Sequence, residues 1–406
     1  SDPANRLFLD SQDINNKTYS INIIRPIVLN KPNQFYSSFS ITNFYNSGFT
    51  NLENSGSIIS YPQRSTYSHY TFSYYNDFLY FKIIPTYKKV SKVEKNAKVV
   101  DTFSVLNEKM GSEINGFDNS ITESTFSVHY KNLGFGISNE SMWFGPGFHS
   151  SISMSNNSEG LLHKFIGTLK EKRIKDFGLS FRYFISENNQ SSVSNYHTAI
   201  SSALTYYNNP TITAGFNRVF LSGGIDEISW SEKDAMNLVF QPLFGENIRS
   251  TYKDLYPNEP AYWDPWDQMI SVFFNLFFPE NKASLYLELS TDDSRANFTD
   301  LRAHWDHALG YLIGYKKYGL FNNDNLFFGI ESFSVVNTTN TRNPLFYRGD
   351  LNIPNFYNRE IYDYSSYNGR RWAAHSGSDS NDNIIILGYN DKSRSFFISY
   401  NYERRG

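Results

Sequence analysis

Aromatic residues stand at every second position of short segments throughout this chain, and this alternation limits the folds open to it. In one segment, large apolar side chains fill the odd positions from Phe177 to Ile185, with glycine, serine and arginine between them. Because successive side chains of a β-strand point to opposite faces, each such segment has an aromatic face and a polar face. With 35 Phe and 30 Tyr, the apolar faces differ from the Val-, Leu- and Ile-rich interior of a soluble sandwich. The pattern indicates an all-β transmembrane barrel, apolar toward lipid and polar toward its lumen.

The bulk composition agrees with a single barrel. No shift of composition and no linker divides the 406 residues, so we expect one domain spanning residues 1–406. A mean hydropathy of -0.49 fits a barrel, whose lumen-facing residues and loops are polar. The net charge of -3 argues against nucleic-acid binding, which needs a concentrated basic face. The absence of cysteine excludes disulfides and thiolate metal sites.

The alternating segments form hairpins with short turns rich in Asn, Asp, Gly and Pro. Counting them predicts an antiparallel barrel of about 16 to 18 strands. Long polar stretches separate the hairpins, at about Val90–Glu123, Asn139–His163, Leu221–Asp267 and Val336–Asp382. We expect the short turns at the periplasmic rim, and the long loops outside the cell or folded into the lumen. If the turn at Asn390-Asp391 is periplasmic, the last strand ends outside, so either that turn is a short outer loop or the count is wrong by one.

The N-terminus bears on the location. The chain begins with Ser1-Asp2-Pro3 and lacks the basic and then apolar layout of a signal peptide. An outer-membrane location in a Gram-negative bacterium therefore predicts that a signal peptide has been removed. No stretch approaches the roughly 20 apolar residues that a spanning helix needs.

The segment from Asn139 to His163 breaks the alternation and contains the first candidate site. Gly145-Pro146-Gly147 is a turn former, because glycine allows positive φ and proline fixes its own. The candidate polysaccharide-binding residues around this turn are Trp143, Phe144, His149, Asn156 and Asn157. Aromatic rings stack on the C–H face of a sugar while amides bind its hydroxyls. The alternative, favoured by the residue types alone, is a loop whose aromatic residues plug the lumen.

Two tryptophans form a second candidate site, just before a strongly alternating strand. Trp263 and Trp266 occur in a Tyr-Trp-Asp-Pro-Trp-Asp run. They could form a platform for stacking sugars. They could equally belong to the aromatic girdle at the membrane interface, where one end of the ring is apolar and the other is wet.

Three groups of residues, in order, resemble one known family. The run from Ser141 to Leu162 resembles the Trp-Trp-Gly-Pro-Gly and Ser-Asn-Asn segment of the Wzi-like capsule assembly family, with Phe144 in place of the second Trp. The other landmarks that match are Asp267, Gln268, Glu288, Asp300 and His307, and then, after Gly369-Arg370-Arg371, His375 and Asp379. The resemblance covers most of the chain.

The resemblance implies an outer-membrane β-barrel that acts as a lectin and attaches capsular polysaccharide to the cell surface. The best-known member also has an N-terminal helical bundle at its periplasmic mouth. This chain is expected to lack that bundle, because the strand-like stretch from Tyr19 to Ile27 follows a short polar lead. The implied partners are outer-membrane lipid and surface polysaccharide.

We therefore expect a monomeric, non-catalytic barrel that binds or tethers polysaccharide. A porin-like solute channel and a structural subunit of a larger envelope complex are the alternatives. Catalysis is not expected, because no Gly-x-Ser-x-Gly or His-Glu-x-x-His motif occurs, and His304, Asp306 and His307 are interpreted as polar rim residues. No cofactor or metal is expected either. Asp379 to Asn383 has alternating oxygen ligands like the start of a calcium loop, but lacks its glycine and distal glutamate.

Overall fold

The protein is an antiparallel β-structure with very little helix. The computed structural model describes residues 6–7, 10, 33–47, 53–58, 63–90, 116–188, 194–225, 230–241, 266–292, 298–303, 308–336, 356–362, 365–367, 370–391 and 394–404. The strands are β1 (Gln34–Asn46), β2 (Gln63–Tyr75), β3 (Leu79–Val90), β4 (Gly116–Tyr130), β5 (Leu133–Ser138), β6 (His163–Thr168), β7 (Lys172–Ile174), β8 (Phe177–Asn188), β9 (Asn195–Tyr206), β10 (Thr211–Gly223), β11 (Trp266–Phe278), β12 (Ala283–Asp292), β13 (Leu309–Leu320), β14 (Asn323–Ser334), β15 (Ser366–Tyr367), β16 (Arg370–Arg371), β17 (Asn381–Asn390) and β18 (Ser395–Arg404).

All but two of these strands belong to one 16-stranded sheet. Each strand pairs with its neighbour in the chain, from β1 to β14 and then on to β17 and β18, while β7 pairs beside β8. The short strands β15 and β16 form a separate hairpin. This up-and-down order requires no crossover and is the connectivity of outer-membrane barrels. The prediction of an all-β antiparallel barrel is confirmed.

The two faces of the sheet divide as the alternation predicts. On β13, Tyr311 and Ile313 are 41% and 44% exposed, whereas Leu312 between them is fully buried. Large apolar side chains cover the outward face of strands such as β4, β5, β11, β12 and β17 in the same way, and their inward face carries Ser, Thr, Asn and Glu among its buried residues. The outward face is therefore the lipid-facing wall of a transmembrane barrel.

Short turns collect at one rim. Lys131 and Asn132 join β4 to β5 with positive φ, and Phe321 and Asn322 do the same between β13 and β14. Tyr389 pairs with Leu326, so the turn at Asp391 lies at this same rim. It is not a short outer loop, and β18 runs from the short-turn rim to the opposite one.

The helices are short. They are α1 (Glu232–Leu238), α2 (Phe298–Ala303) and a 3-10 turn at Glu360–Tyr362. No helix in the described part of the chain is long and apolar enough to cross a membrane.

Helix α1 packs against the outward face of the sheet. Arg218 of β10 lies on the face opposite the inward Asn217, yet it is only 2% exposed. Its guanidinium donates to the carbonyls of Val239 (3.1 Å) and Gln241 (2.6 Å), at the C-terminal end of α1. Gln268, on the neighbouring strand, accepts from the same guanidinium at 2.8 Å. The helix thus shields a charged side chain on a face that elsewhere meets lipid.

Candidate functional site in the barrel lumen

The segment 141–158, called the lumen loop below, fills the space enclosed by the inward face of the sheet. Every residue in it is buried, with Trp143 1% exposed and Phe144 fully buried. It bonds to separate strands of the wall, since Ser153 donates to Ser271 of β11 at 3.2 Å and Ser150 donates to Asp382 of β17 at 3.0 Å. Of the two interpretations left open by the sequence, folding into the lumen is what the structure shows.

The Gly145-Pro146-Gly147 turn passes directly over a buried carboxylate. Gly145 has φ +92, and a Cβ added there would lie 2.6 Å from Oε2 of Glu288. An L side chain is disfavoured at that φ and would also collide with the carboxylate. The turn therefore needs glycine both for its backbone shape and for its closeness to the wall.

Glu331 of β14 holds the next residues of the lumen loop. Its carboxylate accepts the backbone N–H groups of Phe148 (2.7 Å), His149 (3.2 Å) and Ser150 (2.6 Å). Tyr286 of β12 donates its hydroxyl to the same group at 2.5 Å. Several hydrogen bonds to one buried carboxylate compensate its lost hydration, because bonds to an ionised acceptor are stronger than neutral ones.

A second anchor joins two histidines and a carboxylate. Asp382 Oδ2 lies 2.9 Å from His149 Nε2 and 3.0 Å from His375 Nε2. Burial lowers the pKa of His375, but the hydrogen bond and charge of Asp382, together with the charges of Glu53 and Glu403, raise it to about 9. The cluster connects the lumen loop, the segment before β17 and the wall itself.

The amide residues predicted to bind sugar make hydrogen bonds inside the protein. Asn157 Oδ1 accepts from the backbone N–H of Asn54 at 3.1 Å, and its amide donates to the carbonyl of Arg371 at 2.9 Å. Asn156 donates to the carbonyl of Asn54 at 3.2 Å. The guanidinium of Arg6 lies 3.2 Å from the centre of the Trp143 ring, a cation–π contact. These side chains join the lumen loop to segments far away in the sequence.

The remaining predicted residues do not all come together. Trp266 lies outward on β11 with its ring 6.4 Å from that of Trp230, on the lipid-facing side of the wall. Gln268 also faces outward, toward Arg218, whereas Asp267 faces inward and is buried. Asp300 lies in α2. Asp379 forms an ion pair with Arg404, whose Nη2 lies 3.6 Å from its Oδ1. Trp263, His304, Asp306 and His307 lie outside the described residues.

Sequence reasoning missed two residues that organise this site. Asp382 stands at the start of a strand in a segment considered only as a calcium loop, and Asn54 lies in a stretch without a motif. Both act on partners far away in the chain, so only the alternation that places Asp382 on the inward face could have indicated its role. The position of Glu331 on a strand predicts that its side chain faces the lumen. No sequence pattern predicts the three backbone N–H groups that it binds.

The fold and the filled lumen define a class of protein: an outer-membrane β-barrel closed inside by its own loop. The sequence profile of the family described as "Capsule assembly protein Wzi" matches residues 45–360. The chain therefore belongs to the Wzi capsule assembly family, as the resemblance predicted.

The comparison with solved structures agrees on the fold. The chain is similar to Wzi of Escherichia coli, described as an outer membrane protein involved in group 1 capsule assembly and a carbohydrate-binding β-barrel. That match has 11% identity and a TM-score of 0.57, and it covers 100% of this chain and 76% of the other. No curated protein matches significantly.

Two outer-membrane proteins of Pseudomonas are also similar, at a greater distance. OprB of Pseudomonas putida has 8% identity and a TM-score of 0.39, covering 91% of this chain and 87% of its own. OpdK of Pseudomonas aeruginosa has 8% identity and a TM-score of 0.38, covering 92% and 95%. Neither similarity is strong enough to bear on the structure or function of this chain.

Proposed function

We propose that this protein binds surface polysaccharide at the outer membrane during capsule assembly and holds it without catalysing a reaction. The observation that carries the proposal is the lumen loop, which lies buried across the barrel and is bonded to several strands of the wall. A filled lumen favours holding a ligand at the surface over passing one through. The family membership and the carbohydrate-binding description of the Escherichia coli protein supply the ligand class.

The proposed binding residues are Trp143, Phe144, His149, Asn156, Asn157, Trp263 and Trp266, and their contact with sugar stays a prediction. Five of them belong to the buried lumen loop. A sugar could stack on Trp143 only if Arg6 left its ring, so this group supports a role beneath the binding surface rather than in direct contact. In that role the lumen loop fixes the shape of the outer surface, and the polysaccharide binds above it.

Binding of the purified capsular polysaccharide to proteoliposomes containing the full chain tests this proposal. We expect saturable binding to the wild type and at least about tenfold weaker binding for Trp143→Ala, because the cavity left by this large buried ring lets the lumen loop beneath the binding surface shift. Phe327→Ala is a matched control, because it also removes a fully buried aromatic side chain from the inward side of the wall. Equal loss in both variants would assign the effect to folding. Wild-type proteoliposomes without affinity for any surface polysaccharide would refute the function.

We further propose that the chain acts as a monomer surrounded by lipid, and meets other envelope proteins only during assembly. The apolar outward face supports the lipid contact on strands as far apart as β4, β13 and β17. The mass of the protein in lipid nanodiscs, with and without envelope extract, separates a monomer from a stable complex. Co-purification of a partner in fixed ratio would contradict the monomer.

A further inference from the structure

A group of acidic and imidazole side chains lies at the lumen loop, and only His149 among them is also a proposed polysaccharide-binding residue. It combines two groups that share His375, one with His149 and Asp382 and one with Glu53 and Glu403, and both together are the histidine–carboxylate cluster. The side chains of His149, His375 and Asp382 are at most 3% exposed. These three come from different segments, and their donor atoms lie within 4.8 Å of one another.

The spacing of these donor atoms fits a metal ion. His149 Nε2 and His375 Nε2 lie 2.9 Å and 3.0 Å from Asp382 Oδ2, and the three atoms lie within 4.8 Å of one another. Two ligands bound at about 2.1 Å are about 3.0 Å apart at right angles and about 3.4 Å apart in the tetrahedral geometry that zinc prefers. The observed spacing is thus close to that of adjacent ligands around one cation, and equally that of a direct hydrogen bond.

An unsatisfied atom favours the cation over hydrogen bonds alone. Asp382 Oδ2 receives His149, His375 and Ser150, whereas its other oxygen, Oδ1, is buried without a hydrogen-bond partner among the described residues and is free to join Oδ2 in binding a cation. Asn401 Nδ2 also lies 3.3 Å from His149 Nε2. Buried polar atoms are rarely left unsatisfied, and each such atom suggests an ion or another group not yet counted.

The charges point the same way. Three carboxylates, those of Asp382, Glu53 and Glu403, surround two imidazoles, and Glu403 Oε1 lies 3.9 Å from His375 Nε2. A divalent cation would offset two of these negative charges inside a region from which water is largely excluded. Imidazole ligands select zinc, nickel or copper, whereas calcium and magnesium prefer sites built from oxygen.

We propose that His149, His375 and Asp382 bind one divalent transition-metal ion, with Glu403 and Glu53 adding negative charge nearby. The ion would tie the lumen loop to the wall at β17 and to the segment that precedes this strand. The sequence predicted no metal site, because these ligands lie far apart in the chain and share no motif. The proposal shares His149 with the proposed sugar-binding residues but does not require that sugar binds.

Metal binding is measured on the full chain purified in detergent with an affinity tag that contains no histidine. After treatment with EDTA, the protein is titrated with zinc chloride against a chromophoric chelator, and bound zinc is counted by mass spectrometry. We expect about one zinc per chain in the wild type. Asp382→Asn and His149→Gln should weaken binding by at least about tenfold, since even indirect partners of a metal matter by that factor. His163→Gln is the control, because His163 is a buried histidine outside the cluster.

Spectroscopy of the wild type keeps the test valid if the variants fail to fold. Copper(II) added to the EDTA-treated protein should show coupling to two imidazole nitrogens in its paramagnetic resonance spectrum. Wild-type protein that binds neither zinc nor copper would overturn the proposal and leave a hydrogen-bonded cluster. An equal loss of zinc in His163→Gln would overturn it as well, by showing that binding is not specific to these ligands. In either case the proposed function would stand, because polysaccharide binding is measured separately on the wild type.

Discussion

At the residue scale, the lumen loop depends on a few positions where backbone and wall nearly touch. Gly145 is one, since its φ of +92 and the nearby Glu288 both exclude a side chain. Glu331 is another, because it alone accepts three consecutive N–H groups of the loop. Buried groups of this kind are sensitive to small changes, as a lost partner leaves a polar atom unsatisfied.

Replacing Gly145 by alanine should destabilise the barrel. A residue with a Cβ destabilises the fold by about 1 kcal/mol or more when its φ is positive. At this position the Cβ must also displace the Glu288 carboxylate. Gly56→Ala separates the two effects, because Gly56 has φ +59 but its Cβ would meet nothing closer than 3.6 Å. Urea unfolding in detergent micelles should show a larger loss for Gly145→Ala than for Gly56→Ala. Equal losses would mean that the contact with Glu288 contributes nothing.

Removing the Glu331 carboxylate should have a larger effect. Glu331→Ala leaves three loop N–H groups and the Tyr286 hydroxyl without their acceptor, which should cost about 3 kcal/mol or more. Glu280→Ala is the control, since this carboxylate is exposed and, among the described residues, accepts from Asn209 at 3.0 Å. The free energies of unfolding of both variants, from urea titrations, provide the comparison. A loss below about 1 kcal/mol for Glu331→Ala would show that the loop finds other partners.

At the element scale, strands and their faces follow from local pattern, whereas loop contacts do not. The alternation from Phe177 to Ile185 predicts β8 and its outward face correctly, because a strand has a period of two wherever it packs. The contact between Asn157 and Arg371 depends on the barrel curving two distant segments together, and no local pattern contains that information. Helix α1 was missed within a long polar stretch, although Ser231 and Asp234 form the capping box that begins it.

The position of α1 on the outer wall makes Arg218 one of its attachments to the sheet, beside the apolar contacts of Leu238 and Val239. Arg218→Ala should release α1, because it removes the donor to the carbonyls of Val239 and Gln241 and exposes a polar patch toward lipid. Hydrogen exchange of residues 230–241 should speed up by at least about tenfold, with the strands unchanged. Lys164→Ala is the control, since the exposed ion pair of Lys164 with Glu232 at 2.7 Å should contribute about 0.5 kcal/mol at most. Unchanged exchange in Arg218→Ala would show that apolar packing alone holds the helix.

At the scale of the whole molecule, the barrel combines a wall that many outer-membrane proteins share with a lumen occupied by its own chain. The wall explains the composition and the membrane location, but says little about function. The specific part is where the alternation stops, between residues 141 and 158, and this part binds to β11, β12, β14 and β17. A barrel so filled should behave as a closed surface rather than as a pore.

Conductance across planar lipid bilayers measures that closure directly. The wild type should conduct little, because the lumen loop is buried along its length and bonded to separate strands of the wall. Replacing residues 141–158 by a short Gly-Ser linker should raise the conductance toward that of open barrels, because the inward face it uncovers is polar and would admit water. The outward apolar face, which drives insertion, is untouched by this change, and heat-dependent migration on gels would confirm that the variant still folds. Steady porin-like conductance of the wild type would mean that the lumen loop leaves a continuous path, and the solute-channel interpretation would then replace the surface-binding one.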